Sequence, residues 1–266
     1  MFDFTIRTYS DLLKAISSNK YFSQTFEAFI QKENSFVKNV VLRHDVDRLP
    51  QNALKLAQIE NVIDVKGSYY FRVVPASYDL EIMNKIAGLG HEIGYHYEDV
   101  DLVIKNYKLK IKNDQDKEKL IDLAFESFCN HVEMLRRNFD IKTICMHGSP
   151  LSKYDNRLLW SKYQYQDCGV LADAYLGTDF NEVFYLTDAG RSWNNRKVSV
   201  RDHVETNFDI PIRSIHDIFK LIDNGDFPDK LMLNIHAHNW SDNIVDWVKV
   251  WGWQNSKTIY VDRERC

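Results

Sequence analysis

Val40-Val-Leu-Arg-His-Asp-Val-Asp47 is the stretch on which the reading of this chain turns. Three aliphatic residues run directly into a polar cluster, the pattern of a buried strand that gives out into a loop. In extended backbone, residues two apart project to the same side, so Asp45 and Asp47 face one cavity. Two carboxylates so close need a cation or a proton to coexist. The blander alternative has one of them capping the following helix and the other pairing with Arg48.

Outward from this segment the chain alternates short β-rich runs with helical patterns. The further strands expected are Ser68–Val73, Glu92–His96, Thr143–His147, Val170–Ala174, Val183–Thr187 and Leu231–His236, with Val40–His44 as the first. Ala53, Leu54, Leu56, Ala57 and Ile59 mark a helix between the first two. Leu80, Met83, Ile86 and Ala87 mark another, stopped by Gly90. A long helix with Leu120, Leu123, Ala124, Phe128 and Leu135 on one face precedes the fourth strand. Residues 1–37 read as a helical preamble, with Leu12, Leu13, Ile16, Phe22, Phe26 and Phe29 at helical spacing. Strands separated by helices pair in parallel through right-handed crossovers. Seven such units favour an α/β barrel over an open sheet, since a barrel leaves no edge.

Polar residues collect at the ends of these strands, where parallel α/β folds build their sites. His96 follows Gly94 at the end of the third strand and is the clearest metal-ligand candidate. His147 precedes Gly148 and reads as a metal ligand or a substrate contact. Asp173 and Asp188 end the fifth and sixth strands. One carboxylate with two imidazoles is a typical set for a catalytic divalent ion of the zinc, cobalt or nickel type. His236 ends the last apolar run, and imidazole is suited to donating a proton near neutral pH. His238 is a partner behind it or a loop residue. His91, His131, His203 and His216 read as structural.

Leu42-Arg-His-Asp45-Val-Asp47, Gly90-His-Glu-Ile-Gly-Tyr-His96 and Leu233-Asn-Ile-His236 together resemble the polysaccharide deacetylase family, carbohydrate esterase family 4, over roughly residues 38–240. The resemblance implies a distorted seven-stranded (β/α) barrel and metal-dependent removal of acetyl groups from N-acylated sugars or glycan precursors. In the family's T-F-D-D-G motif the first Asp is the base and the second a metal ligand. Asp45 matches the first. Val46 stands at the second position, so Asp47 takes the metal one residue later. The second metal histidine falls on Val100 and is absent, and His147, followed by Gly148-Ser149-Pro150, is its natural replacement. His236 matches the general acid. The resemblance thus implies a metal, zinc first among the candidates, on Asp47, His96 and His147, with Asp45 as base and His236 as acid. Tyr97 or the backbone around Gly148 would assist the oxyanion. Arg43 or Arg191 would replace the family arginine that keeps the base ionised. Asp188, Arg191, Trp193 and His238 are candidate substrate contacts.

The 266 residues form one expected catalytic domain, 44% apolar and 27% charged, which excludes disordered and fibrous classes. The net charge of −4 is dispersed, so no nucleic-acid footprint is visible. No apolar run is long enough to cross a membrane, and no secretory signal opens the chain, which places it by default in the cytoplasm. Cys129, Cys145, Cys168 and Cys266 are far apart in sequence and read as reduced thiols. The partner expected is a small-molecule sugar or glycan precursor. Trp247 and Trp251, four apart, read as core. Two alternatives stand beside the deacetylase: hydrolysis of a non-sugar amide or cyclic imide on the same barrel, and a glycan-binding module whose metal site has decayed, which the missing histidine at Val100 favours.

Overall fold

Strand β2 (Asn39–Val46) is buried along its whole length, and both of its faces meet protein. In this computed structural model, which describes residues 3–32, 37–148, 152–194 and 203–243 together with 245, 247, 248 and 252, β2 is the centre of a parallel sheet. β3 (Ser68–Phe71), β4 (Glu92–Tyr97), β5 (Thr143–Met146) and β6 (Ala172–Asp173) follow on one side. β8 (Lys230–Ile235) and then β7 (Phe184–Thr187) lie on the other. All seven expected strands are present, shifted at their ends by at most two residues. Each pair in the ladder is parallel, with Arg43 opposite Asn234 and His96 opposite Cys145.

The sheet curls into a half-barrel. β6 and β7 end the hydrogen-bonded path without pairing with each other. Yet the Tyr175 hydroxyl beyond β6 comes within 3.4 Å of the Tyr185 hydroxyl on β7, and Arg43 on β2 donates to Tyr175 at 2.9 Å. The expectation of a β/α barrel therefore holds at the level of a curled half-barrel of seven parallel strands, with the Tyr175–Tyr185 contact reaching across from the end of β6 to β7. Asn234 also donates to Tyr185 at 3.0 Å, which ties this contact to β8. Tyr185→Phe is expected to lower stability by about 1 kcal/mol, because it removes one of the two acceptors of the buried Asn234 amide. Urea unfolding checks this, as a lower midpoint at unchanged m.

Helices α3 (Pro50–Val62), α4 (Leu80–Gly88), α5 (Asp99–Tyr107), α6 (Asp114–Arg136) and α7 (Ile215–Asn224) occur in the crossovers. α4 ends as the glycine predicts, with Gly90 at φ +85 after the C-cap Leu89. The preamble differs from expectation. α1 (Ile6–Ser18) and α2 (Phe26–Gln31) are helical, but Phe22–Gln24 form strand β1, parallel to Asn39–Val41. The Phe22–Phe26–Phe29 spacing spans the strand-to-helix joint, where Thr25 caps α2 by accepting from Ala28 N–H. Periodicity cannot see that break.

The outward face of β2 carries a buried polar knot. His44 meets Glu60 of α3 at 2.9 Å, and Tyr9 and Tyr69 donate to the same carboxylate oxygen at 2.5 and 2.7 Å. His91 lies 3.5 Å from the other oxygen and is structural, as expected. Cys129 of α6 and Cys168 form a disulfide, with Cα atoms 5.8 Å apart, which corrects the expectation of reduced thiols. Their separation of 39 residues concealed a contact made by the turn before β6 folding back on α6. Such bridges belong chiefly to oxidising compartments, so the cytoplasmic expectation is carried no further. Cys145 is buried and takes no part in a disulfide. Among the described residues no helix is long and apolar enough to cross a membrane.

Candidate metal centre

Three strand ends deliver one donor atom each to the same point. Asp47 follows β2, His96 sits on β4 and His147 follows β5. Asp47 Oδ1 lies 3.0 Å from His147 Nδ1 and 3.3 Å from His96 Nε2, and the two nitrogens are 3.2 Å apart. Donors at 2.0–2.1 Å around a tetrahedral zinc ion are separated by about 3.3 Å, so this triangle has the dimensions of one face of such a site. Asp47 Oδ1 is buried and lacks a well-aligned hydrogen bond, so the two imidazole nitrogens are its near neighbours and a cation among the three would satisfy it. His96 is oriented for the task. Its Nδ1 donates to the Cys145 carbonyl at 3.0 Å, which leaves the Nε2 lone pair facing the other two donors.

The electrostatics agree. Burial alone would raise the Asp47 carboxyl, but the facing imidazoles, His147 first, hold it well below the usual carboxylate range. Burial would lower His147, and Asp47 raises it instead. The helix-cap alternative for the two carboxylates is not what is seen. α3 has no side-chain cap, and Arg48 forms no ion pair with either carboxylate.

Asp45 lies deeper and is wholly buried. Arg43, two residues earlier on the same face, grips it with Nε at 2.9 Å and Nη2 at 2.6 Å. Asn234 donates to Oδ2 at 3.1 Å, and His236 Nε2 stands 3.9 Å from that oxygen. Burial pushes the carboxyl up, but the Arg43 guanidinium and then His96 drive it far below the carboxylate range. A second donor group, Asp45, His96 and Cys145, also converges, but both Asp45 oxygens are already bound to a guanidinium that would repel a cation. Arg43 thus takes the place expected of either arginine.

His236 follows β8 and is held by Asp188, which follows β7. Asp188 Oδ1 accepts from His236 N–H at 2.8 Å and from Nδ1 at 2.7 Å, and Oδ2 accepts from Trp240 Nε1 at 2.6 Å. Burial would lower the imidazole, but the Asp188 hydrogen bond and charge, with Asp47 and Asp45 behind them, raise it to about 10.

The expected substrate contacts are placed differently from one another. Asp188 is buried behind His236. Trp193 is buried too, stacked on Phe4 at 5.7 Å and donating to Asp3. His238 packs edge-on against His236 at 5.9 Å. Arg191 lies over Trp247 at 4.0 Å. The Tyr97 hydroxyl is not available to an oxyanion, since it donates to Asp173 at 2.8 Å and accepts from Trp160. Ser149, Pro150, Trp251 and Cys266 lie outside the described residues. Asn234, Tyr175 and Tyr185 join the site without having been singled out. Asn234 was legible, since it stands two before His236 in an extended strand and so shares its face.

Compared with known proteins, the chain matches no protein-family model and no curated protein.

Proposed function

We propose that this protein is a metal-dependent hydrolase that removes an acyl group from the nitrogen of an N-acylated sugar or glycan precursor, a divergent relative of the polysaccharide deacetylases. The observation that carries the reading is the Asp47–His96–His147 triangle with a clamped carboxylate, Asp45, and a carboxylate-held imidazole, His236, close to it. Asp47, His96 and His147 would hold a divalent ion such as zinc. When bound, that ion supplies Lewis acidity toward the acyl carbonyl and makes an attacking water more acidic.

The remaining work belongs to this chain's own groups. Asp45, kept ionised by Arg43, receives the proton lost by water as its oxygen bonds to the acyl carbon. His236, protonated through Asp188, gives its Nε2 proton to the departing nitrogen as the C–N bond breaks. The products are a carboxylate and a free amine. Asp188 acts through His236 as a positioning residue. Burial of Trp193 removes one aromatic platform for a pyranose, and this favours, as the second reading, a non-sugar N-acyl substrate.

Acetate release from a panel of N-acetylated sugars and simple N-acetyl amines tests the reaction, with Asp45→Asn as control. Release that Asp45→Asn lowers by about a hundredfold or more supports it, and no release from any member contradicts it. The acid also has a pH signature. With His236 near 10, its protonated form persists through the neutral range and the rate falls only above about pH 10. Asp188→Asn removes the charge that raises it and should move this alkaline limb toward the ordinary imidazole value of about 6.5. A pH–rate profile of both proteins checks the shift, and an unmoved limb would assign the acid elsewhere.

A further inference from the structure

Arg191 holds a buried charge that the proposed reaction does not use. It ends the short turn after β7, and its N–H donates to the Asp188 carbonyl at 2.9 Å. Its own backbone is left-handed, φ +60, a strained state for a residue other than glycine and one that clusters at binding sites. The side chain is more than nine-tenths buried. Nη1 donates to the Trp247 carbonyl at 2.6 Å, and the guanidinium lies over the Trp247 and Phe4 rings at 4.0 and 5.7 Å. Nε and Nη2 are buried and have no hydrogen-bond partner among the described residues. The contrast within the chain is sharp: Arg43, Arg72 and Arg157 each grip a carboxylate, while Arg191 has none among the described residues. Burial lowers its pKa to about 10, and no counter-charge among the described residues opposes the fall. Buried cations are ordinarily paired, and two adjacent N–H groups of a planar fork match the two oxygens of a phosphate or carboxylate.

We infer that Arg191, through Nε and Nη2, receives an anionic group, phosphate or carboxylate, carried by the substrate beside its N-acyl function. The anion's identity as part of a substrate rests on the hydrolase reading, and the anion site itself does not. Asp188 connects the two, since its carbonyl fixes the Arg191 turn and its carboxylate fixes His236.

Calorimetric titration of the full chain with inorganic phosphate and, separately, with glucuronate at constant ionic strength tests the site in wild type, Arg191→Gln, Arg191→Lys and His147→Ala. One saturable site is expected, weakened at least about tenfold by Arg191→Gln and less by Arg191→Lys, which keeps the charge and loses the fork. His147→Ala should leave it unchanged. Tighter phosphate identifies a phosphorylated substrate, and tighter glucuronate an acidic one. Absence of saturable binding by both anions overturns the inference. So does affinity that survives Arg191→Gln, or affinity lost in His147→Ala but kept in Arg191→Gln, which would place the anion at the metal centre. Should Arg191→Gln fail to fold by near-ultraviolet circular dichroism, Arg191→Lys decides. Anion binding without acetate release would sink the hydrolase reading and leave this site standing.

Discussion

His96→Ala is expected to lose bound metal and with it about a hundredfold to a thousandfold or more of hydrolytic rate, with the fold retained. His96 is the ligand whose geometry is set most firmly. The Cys145 carbonyl fixes its tautomer, and its position on β4 opposite Cys145 fixes its ring. Without it, Asp47 faces one imidazole, and a carboxylate with a single imidazole falls short of the three protein ligands usual for catalytic zinc. Acetate release and elemental analysis of the same preparation check the result, with circular dichroism to confirm folding. Full activity in His96→Ala would place the chemistry somewhere else.

The largest effect on stability is expected at Arg43. Arg43→Met leaves the Asp45 carboxylate buried without its cation and should destabilise the protein by about 3–5 kcal/mol. Adding Asp45→Leu to it should recover much of the loss, because the uncompensated charge is then gone. The dependence on pH follows from the direction of the shift. In the wild type Asp45 is held below the carboxylate range. Its stabilisation is therefore fully present above the unfolded value of about 4 and fades as pH falls toward the depressed folded value. In Arg43→Met burial raises the same carboxyl, so the penalty is greatest at neutral pH and shrinks on acidification. Urea unfolding at pH 7 and pH 4 should show the gap between the two proteins narrowing. A gap that widens, or one below 1 kcal/mol at pH 7, would mean that the ion pair does not govern the state of Asp45.

Much of this arrangement is legible before any coordinates. The alternation of Arg43, Asp45 and Asp47 puts three charged groups on one face, and strand ends in a parallel sheet share a rim, so Asp47, His96 and His147 were bound to be neighbours once the strand order was right. They meet within 3.3 Å. What stayed hidden depended on contacts across the fold. Asp188 and Trp193 have the composition of sugar contacts, but only packing reveals that both point inward, toward His236 and Phe4. The Tyr97 hydroxyl was open to an oxyanion role until Asp173, 76 residues away, proved to be its acceptor. The Cys129–Cys168 contact, made by a turn folding back on α6, and the Tyr175–Tyr185 contact across the curled sheet are likewise long-range, and no local pattern encodes them. β1 was missed because three residues of strand between two helices leave too short a signature.

Zinc titration of the metal-stripped full chain decides whether Asp47, His96 and His147 form one cation site. One ion per chain is predicted, with affinity falling at least about a hundredfold in His147→Ala while the protein stays folded. No saturable site, or a site whose affinity His147→Ala leaves untouched, would contradict it.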